Sequence, residues 1–263
     1  MVDAKGIAII TGAASGMGEA AARLMGEAGW PLLLCDLNAE RLDAAAKRIS
    51  AEQLAGDLSD PAWSDKLVEA LAGRQIGALV HCAGLSPTMA DPARILEVNL
   101  AATMRLVEAI VPYMAEGSCA VLFASSAAHM QGTSLDEQIN RVTTPEAVAS
   151  LIEFSPDPGS AYSVSKRGVK LLVERASPAF GTRGARIASI SPGIIDTPMG
   201  RAEMEQQPIM KVLVEKSPLA REARPEEVAA VAVFLCSPTA SFITGTDILV
   251  DGGSIAAMVG AAR

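Results

Sequence analysis

The chain has 263 residues, a formal net charge of −8 and hydrophobic side chains at half of its positions. This length suits one large domain or two small ones, and the apolar fraction is enough for a substantial core. The acidic balance, without a Lys/Arg cluster, argues against nucleic-acid binding, and no apolar run approaches the roughly 18 residues of a membrane span. Residues 1–6 lack the apolar stretch of a signal peptide, so we expect a cytoplasmic protein.

Cysteine and histidine usage argues against disulfides and metal sites. The four cysteines, Cys35, Cys82, Cys119 and Cys236, are far apart, and none forms a C-x-x-C pair. We interpret them as buried thiols. His81 and His129 are the only histidines, so we expect no metal centre.

Short apolar runs alternate with helical patterns along the whole chain. The predicted strands are 7–11, 31–35, 52–55, 76–81, 119–125, 185–191 and 246–250, and the predicted helices are 17–28, 39–49, 61–72, 92–115, 161–178 and 225–236. This rhythm predicts one α/β domain over residues 1–263: a Rossmann-type, doubly wound parallel sheet of about seven strands with helices on both faces. Two long connections interrupt it, an insertion at 127–160 and a segment at 196–217 that we interpret as a lid.

The first strand runs into a glycine-rich turn, Thr11-Gly-Ala-Ala-Ser-Gly-Met-Gly18, that opens a helix. Backbone N–H groups at such a helix start, unobstructed by side chains, form an anion site suited to a dinucleotide phosphate. The spacing is T-G-x-x-x-G-x-G, not the usual G-x-G-x-x-G. An ordinary strand-to-helix turn is the alternative.

Acidic residues end the second and third strands. Asp36 stands eighteen residues after Gly18, where a carboxylate holds the adenosine ribose and repels a 2′-phosphate, which predicts NAD. Asp57 could face the adenine. Either residue could instead simply end its strand.

A second group of polar residues points to catalysis. Tyr162 and Lys166 are four residues apart and share one helix face. The fifth strand delivers Ser125 and Ser126 to its carboxyl end, where α/β sites form. Asn99 interrupts an apolar helix and needs a buried partner, unless it is exposed or caps a helix end.

Together these motifs resemble the short-chain dehydrogenase/reductase family over nearly the whole length. The matching pieces are Thr11–Gly18, Asp57-Leu58, Ala83-Gly84, Asn99, Ser125-Ser126, Tyr162–Lys166, Ser191-Pro192-Gly193, Thr197-Pro198, Ile243–Gly245 and Val250–Gly253. Each is modestly specific, whereas their common order is specific. The resemblance implies NAD as cofactor and hydride transfer at a carbinol carbon.

The resemblance also assigns roles residue by residue. Tyr162 would be the general acid/base, and Lys166 would bind the nicotinamide ribose and lower the pKa of the tyrosine. Ser126, with Ser125 as the alternative, would bind the substrate oxygen, and Asn99 would hold a water of a proton relay. Predicted cofactor contacts are Gly12, Ser15, Gly16, Met17, Gly18, Asp36, Asp57, Leu58, Ala83, Gly84, Tyr162, Lys166, Pro192, Gly193, Ile195 and Thr197.

The chain departs from the family pattern in two places. His81-Cys82-Ala83-Gly84 replaces the usual Asn-Asn-Ala-Gly, and we interpret His81 and Cys82 as core residues. The insertion at 127–160, with a predicted helix at 145–153, is placed as in bacterial family members that oxidise 3α-hydroxysteroids. In those members it replaces an interface of the usual tetramer, so a homodimer is favoured and a tetramer stays open.

The sequence therefore predicts an NAD-dependent dehydrogenase of an apolar secondary alcohol or ketone, with a 3α-hydroxysteroid as candidate substrate. A dehydrogenase of another small or aromatic secondary alcohol is the alternative. A dinucleotide sensor without catalysis is a third hypothesis, opposed by the presence of Ser126, Tyr162 and Lys166.

Overall fold

The computed structural model describes residues 6–130 and 133–261. The expected absence of a signal peptide rested on the first six residues, and residues 1–5 lie outside the described ones. Within the described ranges, the helices fall short of the length and apolarity that a bilayer crossing demands.

Seven parallel strands form one sheet in the order β3-β2-β1-β4-β5-β6-β7. The strands are β1 (Ile7–Thr11), β2 (Leu32–Asp36), β3 (Glu52–Ala55), β4 (Ile76–His81), β5 (Met114–Phe123), β6 (Arg186–Pro192) and β7 (Thr246–Val250). The order reverses between β1 and β4, and this is the point where ligands bind in open α/β sheets. The predicted doubly wound fold is confirmed.

Helices cover both faces of the sheet. They are α1 (Gly16–Glu27), α2 (Ala39–Ile49), α3 (Trp63–Ala70), α4 (Pro92–Leu96), α5 (Ala102–Ile110), α6 (Ala127–Met130), α7 (Asp136–Arg141), α8 (Pro158–Gly181), α9 (Pro198–Gln206), α10 (Ile209–Lys216), α11 (Pro225–Leu235) and α12 (Ser254–Ala261). Alternate residues of β1 enter different cores: Ile7 and Ile9 pack towards α3, α5 and α8, whereas Ala8 and Ile10 pack towards α1, α2 and α11. Because both faces of such a strand are buried, its sequence is an unbroken run of apolar residues.

The predicted helix 92–115 is not continuous. A π-helical turn at Glu97–Ala101 separates α4 from α5, and a 3₁₀ turn at Val111–Tyr113 leads directly into β5. β5 therefore starts at Met114, five residues before the predicted start, and ends at Phe123. Gly117 has a φ of +79°, a conformation that is typical of turns. Met114 nevertheless pairs with Ile76 of β4.

Both long connections are largely helical. The insertion contains α6, α7 and a 3₁₀ helix at Glu146–Phe154, which replaces the helix predicted at 145–153. Its residues Ile139, Val148 and Leu151 are buried in the core on the α8 side. Asp136 pairs with Arg167 of α8, with Nε donating to Oδ1 over 2.7 Å. The insertion thus supports the helix that carries Tyr162 and Lys166, while α9 and α10 form the segment at 196–217.

Two glycines of α1 allow a matched test of the turn. A Cβ on Gly18 would lie 2.1 Å from the Gly12 carbonyl oxygen, whereas one on Gly26 would make ordinary contact, 3.4 Å from the Leu32 side chain. We expect Gly18→Ala to destabilise the protein by about 1–3 kcal/mol, because backbone atoms must move. Gly26→Ala should be neutral or stabilise by up to about 1 kcal/mol, because alanine favours helix. Chemical denaturation measures both, and equal losses would contradict the close approach.

Candidate functional site

A cleft of about 450 Å³ opens at the carboxyl edge of the sheet, beside β1 and β4. Eleven residues predicted to contact a cofactor line it: Gly12, Ser15, Gly16, Met17, Gly18, Asp36, Asp57, Leu58, Ala83, Gly84 and Thr197. The other five predicted contacts, Tyr162, Lys166, Pro192, Gly193 and Ile195, are not among the lining residues, and the Ile195 side chain is buried in the core. The assignment of all these residues to a cofactor stays a prediction.

The glycine turn gives this cleft the features of a phosphate site. Gly12 and Gly16 have φ values of +66° and +55°, the left-handed region that glycine enters without strain. Among the described residues, the backbone N–H groups in the first turn of α1 donate no hydrogen bond to the Ser15 side chain, so Ser15 does not cap the helix. A Cβ on Gly16 would lie 3.2 Å from the Thr197 side chain. The turn therefore fits the diphosphate of a dinucleotide.

Asp36 joins the end of β2 to the glycine turn. One carboxylate oxygen accepts the Ala14 backbone N–H over 3.0 Å, and the other accepts the Asn38 N–H over 2.9 Å. The carboxylate is half-buried at the edge of the cleft. Two amide donors hold its position, so it presents a fixed negative charge there.

Asp57 is held by a neighbour that the sequence argument missed. The Arg94 guanidinium donates to Asp57 over 2.8 Å and to the Ser59 hydroxyl over 2.6 Å, and all three groups are partly exposed. Ser59 also donates to Asp57, and together these bonds lower the pKa of the Asp57 carboxyl against the opposing effect of partial burial. Arg94 lies thirty-seven residues from Asp57 in the chain, and no spacing pattern links the two.

α8 places Tyr162 and Lys166 on one face, as predicted, with the ammonium 5.8 Å from the ring centre. Lys166 is buried and donates to the Phe123 carbonyl at the end of β5 over 2.8 Å. The Ser125 hydroxyl lies close enough to Tyr162 to lower the pKa of its phenol, and the Ser126 backbone N–H donates to the Pro192 carbonyl over 2.8 Å. Ser125 is thus the serine whose hydroxyl acts on the tyrosine, and the role predicted for Ser126 stays a prediction.

Burial dominates the protonation of this pair. It raises the pKa of Tyr162 to about 12, opposed by the nearby Ser125 hydroxyl and supported by the charge of Glu203. It lowers the pKa of Lys166 to about 8. The resemblance implied a lowered pKa for Tyr162. The protein's own groups have the opposite effect, because burial disfavours the charged forms of both side chains.

Asn99 lies in the π-helical turn and is almost wholly buried. Its amide clamps the backbone of Leu85: Oδ1 accepts the Leu85 N–H over 2.7 Å, and Nδ2 donates to the Leu85 carbonyl over 3.0 Å. Nδ2 also donates to the Ser165 hydroxyl over 3.3 Å. This supplies the buried partner that the sequence argument required and excludes the exposed alternative.

Glu203 of α9 is a further group that sequence reasoning missed. It is half-buried, burial raises its pKa against the opposing effect of the Ser86 hydroxyl, and its charge acts on Tyr162. Its neighbours in the chain, Met204 and Glu205, give no pattern that singles it out. Only the folded position of α9 brings this carboxyl towards the tyrosine.

The buried ammonium makes a prediction about stability and pH. Because the pKa of Lys166 falls from 10.5 to about 8, the unfolded chain binds more protons between these values, so the charge costs the native state about 3 kcal/mol below pH 8 and nothing above about pH 10.5. We expect Lys166→Met to stabilise the protein at pH 7, by less than this cost because the bond to Phe123 is lost, and the gain should shrink towards pH 10.5.

Urea denaturation across this pH range measures the gain. Lys170→Met is the control, since Lys170 lies one turn further along α8 and is half-exposed. A gain for Lys166→Met that does not change with pH would contradict the buried charge.

Comparison with known proteins identifies the family. A family profile described as short chain dehydrogenase matches residues 6–136, and one described as Enoyl-(Acyl carrier protein) reductase matches residues 140–254. The chain belongs to the short-chain dehydrogenase/reductase family.

The relatives include enzymes named for different alcohols. The chain is 29% identical to 3-alpha-hydroxysteroid dehydrogenase/carbonyl reductase of Comamonas testosteroni, over 96% of this chain and 97% of the relative. It is 32% identical to D-threitol dehydrogenase of Mycolicibacterium smegmatis, over 94% and 92%. The crystal structure of 3-alpha-hydroxysteroid dehydrogenase from Pseudomonas sp. B-0831, complexed with NADH, superposes with a TM-score of 0.83 at 27% identity and covers 97% of this chain and 98% of that one.

Proposed function

We propose that this protein is an NAD-dependent oxidoreductase that transfers a hydride between nicotinamide and an apolar secondary alcohol or ketone, with a 3α-hydroxysteroid as the first candidate. One observation carries the proposal. The first turns of α8 place Tyr162 and Lys166 next to the carboxyl end of β5, which Ser125 follows, and this group lies beside the cleft that contains the glycine turn. Relatives that act on hydroxysteroids support the substrate class.

The preference for NAD rests on Asp36. Its fixed carboxylate would accept hydrogen bonds from the adenosine ribose and repel a 2′-phosphate, at up to about 4 kcal/mol for each charge pair at roughly 4 Å. Arg94, the arginine that lines the cleft, is already paired with Asp57 and Ser59. A 2′-phosphate on the ribose would therefore be repelled by Asp36, and Arg94 would have to leave Asp57 and Ser59 to bind it.

The residues would divide the chemistry as follows. The bound nicotinamide would supply the hydride acceptor. Tyr162 would take the proton of the substrate hydroxyl, and the Ser125 hydroxyl would hold the substrate oxygen or the phenol in line. Lys166, a buried cation, would stabilise the phenolate and bind the ribose. Asn99 would fix the backbone on which Lys166 rests and hold the water of the proton relay.

A substrate panel tests this function. Purified protein with NAD is offered 3α-hydroxysteroids, small aromatic secondary alcohols and polyols, and the absorbance of reduced nicotinamide is followed. Steroid oxidation supports the full proposal. Turnover of small or aromatic alcohols alone would keep the chemistry and discard the steroid, and the D-threitol relative makes polyols a further class to include. Binding of NAD without turnover of any alcohol would favour a sensor.

Two serine variants decide which hydroxyl takes part. Because the Ser125 hydroxyl acts on Tyr162, we expect Ser125→Ala to lower kcat by about tenfold or more, a typical loss for one hydrogen bond to a reacting group. Ser126→Ala is the matched control, changed at the adjacent residue. A larger loss in Ser126→Ala would restore the role that the resemblance assigns to Ser126.

We further propose a homo-oligomer, with a dimer favoured, working in the cytoplasm. Apolar side chains stand exposed near the carboxyl-terminal end, with Phe242 fully exposed and Val259 of α12 half-exposed. Large apolar side chains left exposed are a common feature of the surfaces through which subunits associate. Free thiols at all four cysteines fit a reducing compartment. Light scattering on the purified protein measures the oligomer.

A further inference from the structure

A buried histidine at the end of β4 bridges two hydroxyl groups beneath the cleft. His81 is 2% exposed. Its Nδ1 lies 2.7 Å from the Thr11 hydroxyl, and its Nε2 lies 2.9 Å from the Thr103 hydroxyl. Thr11 belongs to the glycine turn and Thr103 to α5, so the ring spans from the cofactor turn to the helix that follows Asn99.

The hydroxyl and backbone hydrogens of these residues fix which group donates in each hydrogen bond around His81. The Thr103 hydroxyl donates its one hydrogen to the Asn99 carbonyl over 2.9 Å, so it accepts from Nε2–H of His81. Nδ1 is then unprotonated and accepts a hydrogen bond from the Thr11 hydroxyl. The Thr11 oxygen in turn accepts the Ala83 N–H over 3.2 Å. Only the neutral Nε2–H tautomer satisfies all of these groups. Burial, aided by the charge of Lys166, lowers the pKa of His81 to about 3, which keeps it neutral.

Both ends of this series of hydrogen bonds reach the same backbone turn, at residues 83–85. At one end Thr11 holds the N–H of Ala83, and at the other Asn99 clamps the backbone of Leu85. Gly84 lies between them, and a Cβ there would be 3.1 Å from Asn99 Oδ1 and 3.3 Å from the Lys166 ammonium. The position of this turn therefore determines how closely the backbone packs against Lys166.

We propose that His81 is a positioning residue for Lys166: acting through Thr11 and through Thr103 and Asn99, it holds the turn at residues 83–85 against the ammonium. The idea deepens the proposed function, since it assigns a second layer beneath the same site. An aliphatic residue at 81 would fill the core equally well but would leave the hydrogen of the Thr11 hydroxyl without an acceptor and the Thr103 oxygen without a donor. A cation there would face Lys166. A neutral imidazole provides one donor and one acceptor in a rigid ring.

The test measures Lys166 itself, so it needs no substrate. Full-length protein carrying ¹³Cε-lysine is titrated by NMR, and the Lys166 signal is identified by its loss in Lys166→Met. In the wild type it should titrate near pH 8. Tyr162, His81 and Cys82 are the titratable groups that act on Lys166 or lie against it in the described structure.

Four variants isolate the contact with Thr103. Thr103→Val removes the hydroxyl, whereas Thr103→Ser keeps it. His81→Gln can place a donor where Nε2 lies, whereas His81→Asn reaches only the Nδ1 position. We expect Thr103→Val and His81→Asn to raise the Lys166 midpoint by about 0.5–1 pH unit, because the ammonium gains access to water, while Thr103→Ser and His81→Gln stay near the wild type. Ser118→Ala controls for loss of a buried hydroxyl that bonds a carbonyl elsewhere in β5.

The outcomes separate this proposal from the proposed function. If every variant titrates at Lys166 like the wild type and only melting temperatures fall, as in Ser118→Ala, His81 is a core residue and the proposal is wrong. Failure of all alcohols to turn over would overturn the proposed function but leave the titration as a valid test. Where an alcohol is oxidised, Thr103→Val should lower kcat by about tenfold and leave KM for that alcohol nearly unchanged.

Discussion

Tyr162→Phe should lower kcat by about 10³-fold, within the range that a positioned acid/base contributes. The variant removes one oxygen atom and keeps the ring, which packs partly buried against the core. Burial raises the pKa of Tyr162, so the free site holds a protonated phenol, and the variant removes the hydroxyl that exchanges this proton. NAD affinity should stay within about twofold, because the phosphate turn is untouched.

The chain offers a close control for this variant. Tyr113, the other of the two tyrosines, is partly buried, ends the 3₁₀ turn before β5 and does not line the cleft. Tyr113→Phe should keep the wild-type rate. Steady-state rates and calorimetric NAD titrations measure both variants. Persistent turnover in Tyr162→Phe would show that the proposed acid/base is wrong even if the protein is an enzyme.

Asp36→Asn should shift cofactor preference towards NADP. Removing the charge removes a repulsion of up to about 4 kcal/mol, so we expect the ratio of kcat/KM for NAD to that for NADP to fall by about 100-fold. The substitution also leaves one of the Ala14 and Asn38 amides without its acceptor, so some loss of NAD affinity should accompany it.

Asp60→Asn controls for loss of a carboxylate outside the cleft. Asp60 is exposed, pairs with Lys66, and follows the strand-end segment that contains Asp57. It should leave the preference unchanged. An unchanged preference in Asp36→Asn, measured from initial rates with both dinucleotides, would mean that another group selects the cofactor.

The fold was predictable because its determinants are local. Each buried parallel strand is a short apolar run, and the glycines of the first turn are required by backbone geometry: Gly12 by its positive φ, and Gly18 by its approach to the Gly12 carbonyl. Element boundaries were less predictable where polar residues lie inside elements. The predicted start of β5 at residue 119 left out its first part, where Met114 pairs with Ile76 before regular pairing with β4 resumes at Cys119.

The contacts within the site were predictable only in part. The spacing of Tyr162 and Lys166 places both on one helix face, but the direction of the tyrosine pKa depends on how deeply the folded chain buries it. Ser125 and Ser126 are chemically identical, and only the geometry after β5 decides which one reaches Tyr162. His81 looked like a core residue in the sequence, because Thr103, its partner, lies twenty-two residues away.

The central claim is hydride transfer from a carbinol carbon to NAD, and isotope transfer tests it most directly. The protein is incubated with NAD and a secondary alcohol from the panel that carries deuterium on the carbinol carbon, and the reduced cofactor is analysed by mass spectrometry. We expect one deuterium per reduced nicotinamide, with the transfer abolished in Tyr162→Phe. Reduced cofactor without deuterium, or NAD binding with no reduction by any alcohol of the panel, would contradict the claim.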